Sequence, residues 1–596
     1  MAFDEIFEGC ISATLKHWKL SVFLVFISVC PVTFLVTNVI SYIGLNDSKD
    51  GREPPLQPYW IPFLGNWVSF LLTRKAFVEN ISRRYGGRTP VTVRLGPAKA
   101  YLLTQTETYG PLLRATRFCT NKAFAVRIMK QMFGMPKSAI HIYQNDKSGI
   151  GVIPLPGSTI PPHLRVWQHQ HKTAMRFLQG DALKAHGTRF IEYLSAELSN
   201  CNLSGPVDAE AWVQIDDFYK WWTHRLFAAA ITALCGPHLV RLNPNFVEDF
   251  WEYIGHTPTI SKFYPRFLAP RAYSARQRVL DAIKRWHVFA REYSDYHLNG
   301  PEDPDWDEYW GSKWLKVRQQ WGQDSGEMDD DALASDDLAV ITATSANALP
   351  ATFWNLIEIY NDHKLLGRVE HTLAGSIEPS HGRTGAEAEA LPLRFDLTRT
   401  LSSPLLQSIY AEVLRQRVSL FHNRSPTVGD YKLGPFALRN GGLVCVSTNI
   451  AHNSDEAWGP ARTARPLGEF WAERFLAPSG IEKDEEGSNA ATEARFSTEG
   501  LDGAWIPYGG GALMCPGRHL AKIKMLGSVA VFSAYFEMEV LNGVPCMNDA
   551  FFGMGSQPPG EPVPVRLRKK VGGLRTSASG RRTRAPSVWF SHEQYH

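Results

Sequence analysis

The residues best placed to do chemistry are the ten of Tyr508-Gly509-Gly510-Gly511-Ala512-Leu513-Met514-Cys515-Pro516-Gly517, followed by an apolar-periodic run over 518–526. Glycines let the backbone come close to a flat ligand, and one cysteine stands where a helix begins. Proline suits the first helical position, which places Pro516 there and sets the Cys515 sulfur at the positive end of the helix. Amide groups at that end lower a thiol's pKa, and a thiolate so held is poised to bind iron. The competing reading is a structural cysteine in a tight turn, so the loop must be weighed with what lies upstream.

About a hundred residues earlier, Ala411-Glu412-Val413-Leu414-Arg415 sits in a stretch where Leu405, Ile409 and Val413 recur four apart, the pattern of a mostly buried helix. Glu412 and Arg415, three apart, share a face. Alone they would make an ordinary surface ion pair.

The spacing Tyr508-x-x-Gly511-x-x-x-Cys515-x-Gly517 resembles the haem-binding loop of the cytochrome P450 family, in which a cysteine thiolate is the proximal ligand of haem iron. Two positions depart from that pattern: Tyr508 stands where Phe is usual, and Leu513 where a basic residue usually reaches a haem propionate. Glu412-x-x-Arg415 resembles the family's ion pair that locks onto a second arginine from a following meander. Phe470-Trp471-Ala472-Glu473-Arg474-Phe475 is similar to that meander, with Arg474 as third member. With Arg424, Ala451-His452 and Asp455-Glu456-Ala457-Trp458 between them, residues 59–570 are identified as a member of the family. The resemblance implies Cys515 as iron ligand, Tyr508, Gly511 and Gly517 as the loop around haem, and Glu412, Arg415 and Arg474 as a structural triad. It further implies propionate contacts from Arg424 and from Trp167-Gln168-His169-Gln170-His171-Lys172, where Trp167 and His171 match a Trp-x-x-x-basic signature.

Residues 336–360 read as one long helix that sets Ala343, Ala346, Asn347, Pro350 and Ala351 on one face. Small residues there would let the helix lie against a flat macrocycle or against another helix; the resemblance selects the macrocycle. Most family members carry an acid and a threonine where this chain has Leu349 and Pro350. The segment Ala346-Asn347-Ala348-Leu349-Pro350-Ala351-Thr352-Phe353-Trp354 is instead similar to the subgroup of sterol 7α- and 12α-hydroxylases and prostacyclin synthase. Pro350 has no N–H for the carbonyl of Ala346, so the helix is expected to open there. Asn347 offers a donor and an acceptor. It would position an oxygen-derived ligand or water, or else satisfy the freed carbonyl.

The elements that must position these residues read as mainly α with a small β-rich region, a cytochrome P450 fold with one N-terminal transmembrane helix. Residues 20–43 are free of charge and long enough to cross a bilayer core of about 30 Å. They exceed a signal-peptide apolar region and are read as a retained anchor after an N-terminal segment 1–19. A proline-rich hinge (44–58) precedes the catalytic domain (59–570), and 571–596 form a basic tail without periodicity. Three polar stretches, 300–331, 373–391 and 477–500, read as surface insertions in loops or disorder. Flanking lysines and arginines do not fix the anchor's orientation. The resemblance implies the endoplasmic reticulum with the catalytic domain cytosolic, leaving the sequons at Asn80 and Asn202 unmodified.

A net charge of +4 with no basic stripe argues against a nucleic-acid partner, and the 8 cysteines form no C-x-x-C pairs that would suggest zinc or a disulfide framework. What the resemblance implies is a monooxygenase. It would take electrons from NADPH through NADPH-cytochrome P450 reductase and insert oxygen from O2 into a small lipophilic substrate, terpenoid, steroid-like or another polycycle. The long insertions and basic tail look like filamentous-fungal members of secondary-metabolite pathways. Two alternatives stay open: an isomerase or dehydratase of the same fold that rearranges a peroxide without O2 or reductase, and a non-catalytic membrane haem-binding protein.

Overall fold

The structure is a computed structural model in which residues 18–47, 49–201, 203, 211–295, 302–377, 393–477, 482–483, 489–490 and 494–570 are described. The N-terminal segment up to residue 17, most of the expected insertions at 373–391 and 477–500, the sequon at Asn202 and the basic tail lie outside them. The chain divides into two compact units, one of residues 1–124, 421–457 and 501–513, the other of 125–420, 458–500 and 514–596.

The first unit begins with the helix Trp18–Asn46, within which Ser28–Asn46 is long and apolar enough to cross a membrane by length and composition. Residues 59 and 60 are pinned back onto this helix. Phe34 of the helix stacks on Trp60 at 4.3 Å, and the Tyr59 N–H donates to Thr37 Oγ1 at 3.2 Å. Prolines hold 54–58 extended, and Thr92 then pairs with it, donating N–H to the Pro55 carbonyl and accepting the Gln57 N–H, each at 2.8 Å. Val91–Leu95 runs antiparallel to Ala98–Leu103, which lies parallel to Leu443–Ser447. That strand in turn pairs antiparallel with residues 421–424. Tyr101, Leu103, Leu112, Val444 and Ile506 fill the space beneath the sheet.

The second unit is mostly helical. Phe218–Cys235, Ala348–Asn361 and Arg518–Tyr535 meet over an aromatic core of Phe218, Trp222, Phe353 and Phe532. The polar edges of its tryptophans are satisfied: Trp222 Nε1 donates to Thr352 Oγ1 at 3.1 Å and Trp354 Nε1 to the Gln557 carbonyl at 2.8 Å. A small antiparallel sheet closes one side, Phe536–Val540 against Val565–Lys569 against Val213–Ile215. The mainly helical expectation with a small β region therefore matches the fold.

The reading of 300–331 as a surface insertion does not hold. It contains the helix Lys313–Asp324 and the fully buried Trp310, and its charges are paired inside: Lys316 Nζ lies 2.8 Å from Asp303 Oδ1, both nearly inaccessible. Two of the acids that looked like a solvated loop, Asp303 and Asp307, are partners for the buried Lys313 and Lys316. Composition alone does not distinguish the two cases.

Candidate active site

In the first unit the stem of the glycine loop is clamped by two histidines. His422 Nε2 donates to the Ile506 carbonyl at 2.8 Å, and the Ile506 N–H donates to His452 Nε2 at 3.2 Å. Burial pushes the His422 pKa down to about 4, which keeps the ring neutral. Gly511 then turns the chain at φ 66°, and a Cβ there would lie 2.3 Å from the Leu113 carbonyl oxygen, so no other residue fits. Tyr508 is half-buried beside this turn.

Arg424 is buried in the same unit. Its Nη1 donates to the Asn423 carbonyl at 3.0 Å, its Nε has no hydrogen-bond partner, and burial lowers its pKa to about 10. No carboxylate among the described residues pairs with it. A buried guanidinium without a counter-ion suits an anionic ligand group.

In the second unit the helix after Cys515 starts at Arg518 with Gly517 as its N-cap, two residues later than Pro516 led one to expect. Pro516 shapes the approach instead, and the Gly517 and Arg518 amides act on the Cys515 thiol. The residue is exposed, yet protein surrounds it closely enough for desolvation to raise the thiol pKa above its ordinary value. The two amides act in the lowering direction but do not win. The sequence-level inference of a lowered pKa counted the helix end and missed the desolvation.

The expected single helix over 336–360 is two helices, Asp330–Ser345 and Ala348–Asn361, interrupted at Ala346 and Asn347. Pro350 removes one rung, and Asn347 Oδ1 accepts the N–H of Ser556 at 3.1 Å. Asn347 is therefore tied through its oxygen to the strand Met554–Ser556. Gly555 makes this approach possible, since a Cβ there would sit 1.9 Å from Asn347 Oδ1. From Ala332 to Tyr360 every residue is buried except Ala339, Thr342, Ala343, Ala346 and Asn347. These follow one another at intervals of three and one, so they form a single stripe, exposed at Ala343 and Asn347 and partly open at the other three, on otherwise enclosed helices. Pro350 and Ala351, expected on that face, are buried; Ala339 and Thr342, which sequence reading missed, replace them.

Trp167 donates its indole N–H to the Tyr143 carbonyl at 3.1 Å, so that donor is engaged within the protein. His171 is half-buried, and burial lowers its pKa. The residue before it on that helix, Gln170, donates to Asp336 Oδ1 at 2.8 Å, and Tyr143 donates to the same oxygen at 2.7 Å. Asp336 also binds Arg318, and this buried network fixes the helix Val166–Phe177 against the start of the striped helix.

Glu412, Arg415 and Arg474 come together as the spacing implied, all with inaccessible side chains. Arg415 Nε lies 2.7 Å from Glu412 Oε2, and Arg474 Nε lies 2.9 Å from Glu412 Oε1. Trp471 adds its N–H to the carboxylate at 3.2 Å. The arginines' remaining donors are absorbed by carbonyls, including Leu467 at 2.7 Å and Arg465, Pro466 and Glu469 at 3.0 Å. Both carboxylate oxygens, Nε and Nη2 of Arg415 and all three nitrogens of Arg474 are thus engaged, as a buried pair requires.

Taken each by itself, Cys515 and the stripe of small residues in the second unit, and in the first a buried arginine with no acid partner among the described residues, are residue types that suit a flat, anionic, iron-bearing ring. Comparison with known proteins agrees. Residues 311–563 match the family model for cytochrome P450. The chain is 31% identical over 588 residues to cytochrome P450 monooxygenase efuG of Hormonema carpetanum, covering 95% of this chain and 100% of that one. It is 30% identical to cytochrome P450 monooxygenase fsoE of Humicola fuscoatra over 87% of this chain and 88% of that one. Cytochrome P450 7A1 of Oryctolagus cuniculus is 23% identical over 91% and 97% of the two chains.

The chain belongs to the cytochrome P450 family, as a eukaryotic member. It is a haem-thiolate monooxygenase, served by a cysteine ligand and by NADPH through a reductase.

Proposed function

We propose that this enzyme inserts one oxygen atom of O2 into a C–H bond of a lipophilic polycyclic substrate, terpenoid or steroid-like, in fungal secondary metabolism. The observation that carries this reading is the open stripe of Ala339, Thr342, Ala343, Ala346 and Asn347. It gives a substrate a surface of methyl groups with only two polar side chains. Likeness to fungal monooxygenases on one side and to proteins named P450 7A1 and cholesterol 7-alpha-monooxygenase on the other supports the same substrate class.

Cys515 would hold the iron, with the Gly517 and Arg518 amides sharing the sulfur's charge. Haem, when bound, supplies the activation of molecular oxygen. Gly511 and Tyr508 would shape the loop beside the ring, and Arg424 and His171 would carry its propionates. Asn347 and the carbonyl of Ala346, left without a partner N–H by Pro350, would orient the water through which protons arrive, since neither Leu349 nor Pro350 can carry one. The Glu412–Arg415–Arg474 cluster would keep the meander folded. The helix Trp18–Asn46 would anchor the chain in the endoplasmic reticulum membrane with the catalytic part cytosolic, where a membrane-bound NADPH-cytochrome P450 reductase meets it.

Metabolite profiling of a deletion strain tests the substrate class. The accumulated precursor should be a lipophilic polycycle that the enzyme, with reductase and labelled oxygen, converts to a labelled product. Unlabelled product formed equally well without NADPH would instead mark an isomerase.

A further inference from the structure

A cavity of about 520 Å³ opens in the first unit against the last turn of the helix Trp18–Asn46. Gly44 and Leu45 of that helix line it together with Arg52, Arg84, Arg88 and Phe436. Three cations face this one space and no carboxylate does. None of the three is paired with a carboxylate among the described residues. Arg84 Nη2 donates to Asn38 Oδ1 at 2.8 Å, and its guanidinium lies 5.8 Å from the centre of the Tyr85 ring. The Arg52 guanidinium lies 4.8 Å over the Phe436 ring, and its buried Nε has no hydrogen-bond partner. Glu53, which follows Arg52, is held elsewhere, 3.0 Å from Lys99 Nζ and 3.2 Å from Arg439 Nε.

The geometry points to a binding pocket for the phosphate of an anionic phospholipid, gripped by Arg52, Arg84 and Arg88 with Leu45 and Phe436 beside the glycerol end. Guanidiniums suit phosphate because their planar forks bond its oxygens in pairs. The volume falls in the range of small-ligand sites, roughly 300–1,000 Å³. The helix's last carbonyls oppose an anion with about half a charge, far less than three guanidiniums supply. The choice of a lipid rests on the anchor reading. A helix of 29 residues is roughly 43 Å long, more than the hydrocarbon core, so its last turn and the cavity beside it stand at headgroup level.

The test uses the full-length haem-loaded enzyme in nanodiscs of phosphatidylcholine, with or without phosphatidic acid, and counts retained lipid by native mass spectrometry. Wild type should retain one phosphatidic acid per chain. Arg84→Gln with Arg88→Gln should retain at least about tenfold less, at unchanged haem content, and Arg84→Lys should keep most of the binding. Equal retention by wild type and the double variant, or equal retention of phosphatidylcholine, would overturn the pocket. Displacement by inorganic phosphate at the same concentration would make free phosphate the occupant and overturn the lipid assignment. Flotation with phosphatidylcholine vesicles reads the anchor by itself, so failure of the anchor and failure of the pocket are told apart.

Discussion

The ammonium of Lys524 donates a 2.8 Å hydrogen bond to the carbonyl of Thr344, joining the helix that follows Cys515 to the last turn of the striped helix. Lys524 is 1% exposed and pairs with no acid among the described residues; near it are the Phe190 ring at 5.5 Å, the Cys235 thiol and the buried His186. A cation at a helix C-terminus is favourable, and here it steadies the chain two residues before the break at Ala346.

Burial pulls the Lys524 pKa down from 10.5 to about 7, with Cys235 acting weakly in the other direction. The unfolded chain thus holds its proton up to 10.5 while the folded chain sheds it above about 7. In that window the unfolded state binds more protons, so stability rises with pH. Relative to Lys524→Met, wild type should gain stability above neutrality, by at most about 1.4 kcal/mol per pH unit. Denaturant melts of both proteins across the window check this, and parallel curves would remove the buried charge from the picture.

Breaking the ion-pair cluster should be severe. Glu412→Ala strands two buried guanidiniums and should cost about 3 to 5 kcal/mol, giving little haem-loaded protein. Glu473→Ala, which removes the exposed partner of Arg368, should cost under about 1 kcal/mol. Haem content and unfolding midpoints of the two variants make the comparison.

Asn347 and Gly555 should behave as one unit, because a methyl group on Gly555 would lie where Asn347 Oδ1 is. Asn347→Leu should keep haem and substrate binding but lower product formed per NADPH by about ten- to a hundredfold, with free peroxide making up the difference. Gly555→Ala, which displaces Asn347 without removing it, should do the same. Full coupling in both would show that Asn347 only braces the strand Met554–Ser556.

Much of this was legible from residue types and spacing. Glu412, Arg415 and Arg474 met as expected because an acid and an arginine three apart in an apolar helix, with a second arginine after an aromatic turn, leave few ways to satisfy their charges. The break at Ala346 was legible from Pro350. What was not legible depended on distant chain: Asn347 is claimed by Ser556, Pro350 and Ala351 are covered, and burial outweighs the amides at Cys515. Lys524 carried a signal that went unread, a lysine four residues after Leu520 on an apolar face. The acidic stretch before Lys313 looked solvated because its buried partners, Lys313 and Lys316, come after it.

The identity of the iron ligand is tested most directly by the carbon-monoxide difference spectrum of reduced Cys515→Ser. The long-wavelength band that marks thiolate ligation should vanish in that variant. It should persist in Cys445→Ser, whose thiol is buried 3.2 Å from Asn423 Oδ1, and in Cys546→Ser, whose residue is exposed elsewhere on the chain. Retention of the band in Cys515→Ser, or its loss in either control, would contradict the assignment.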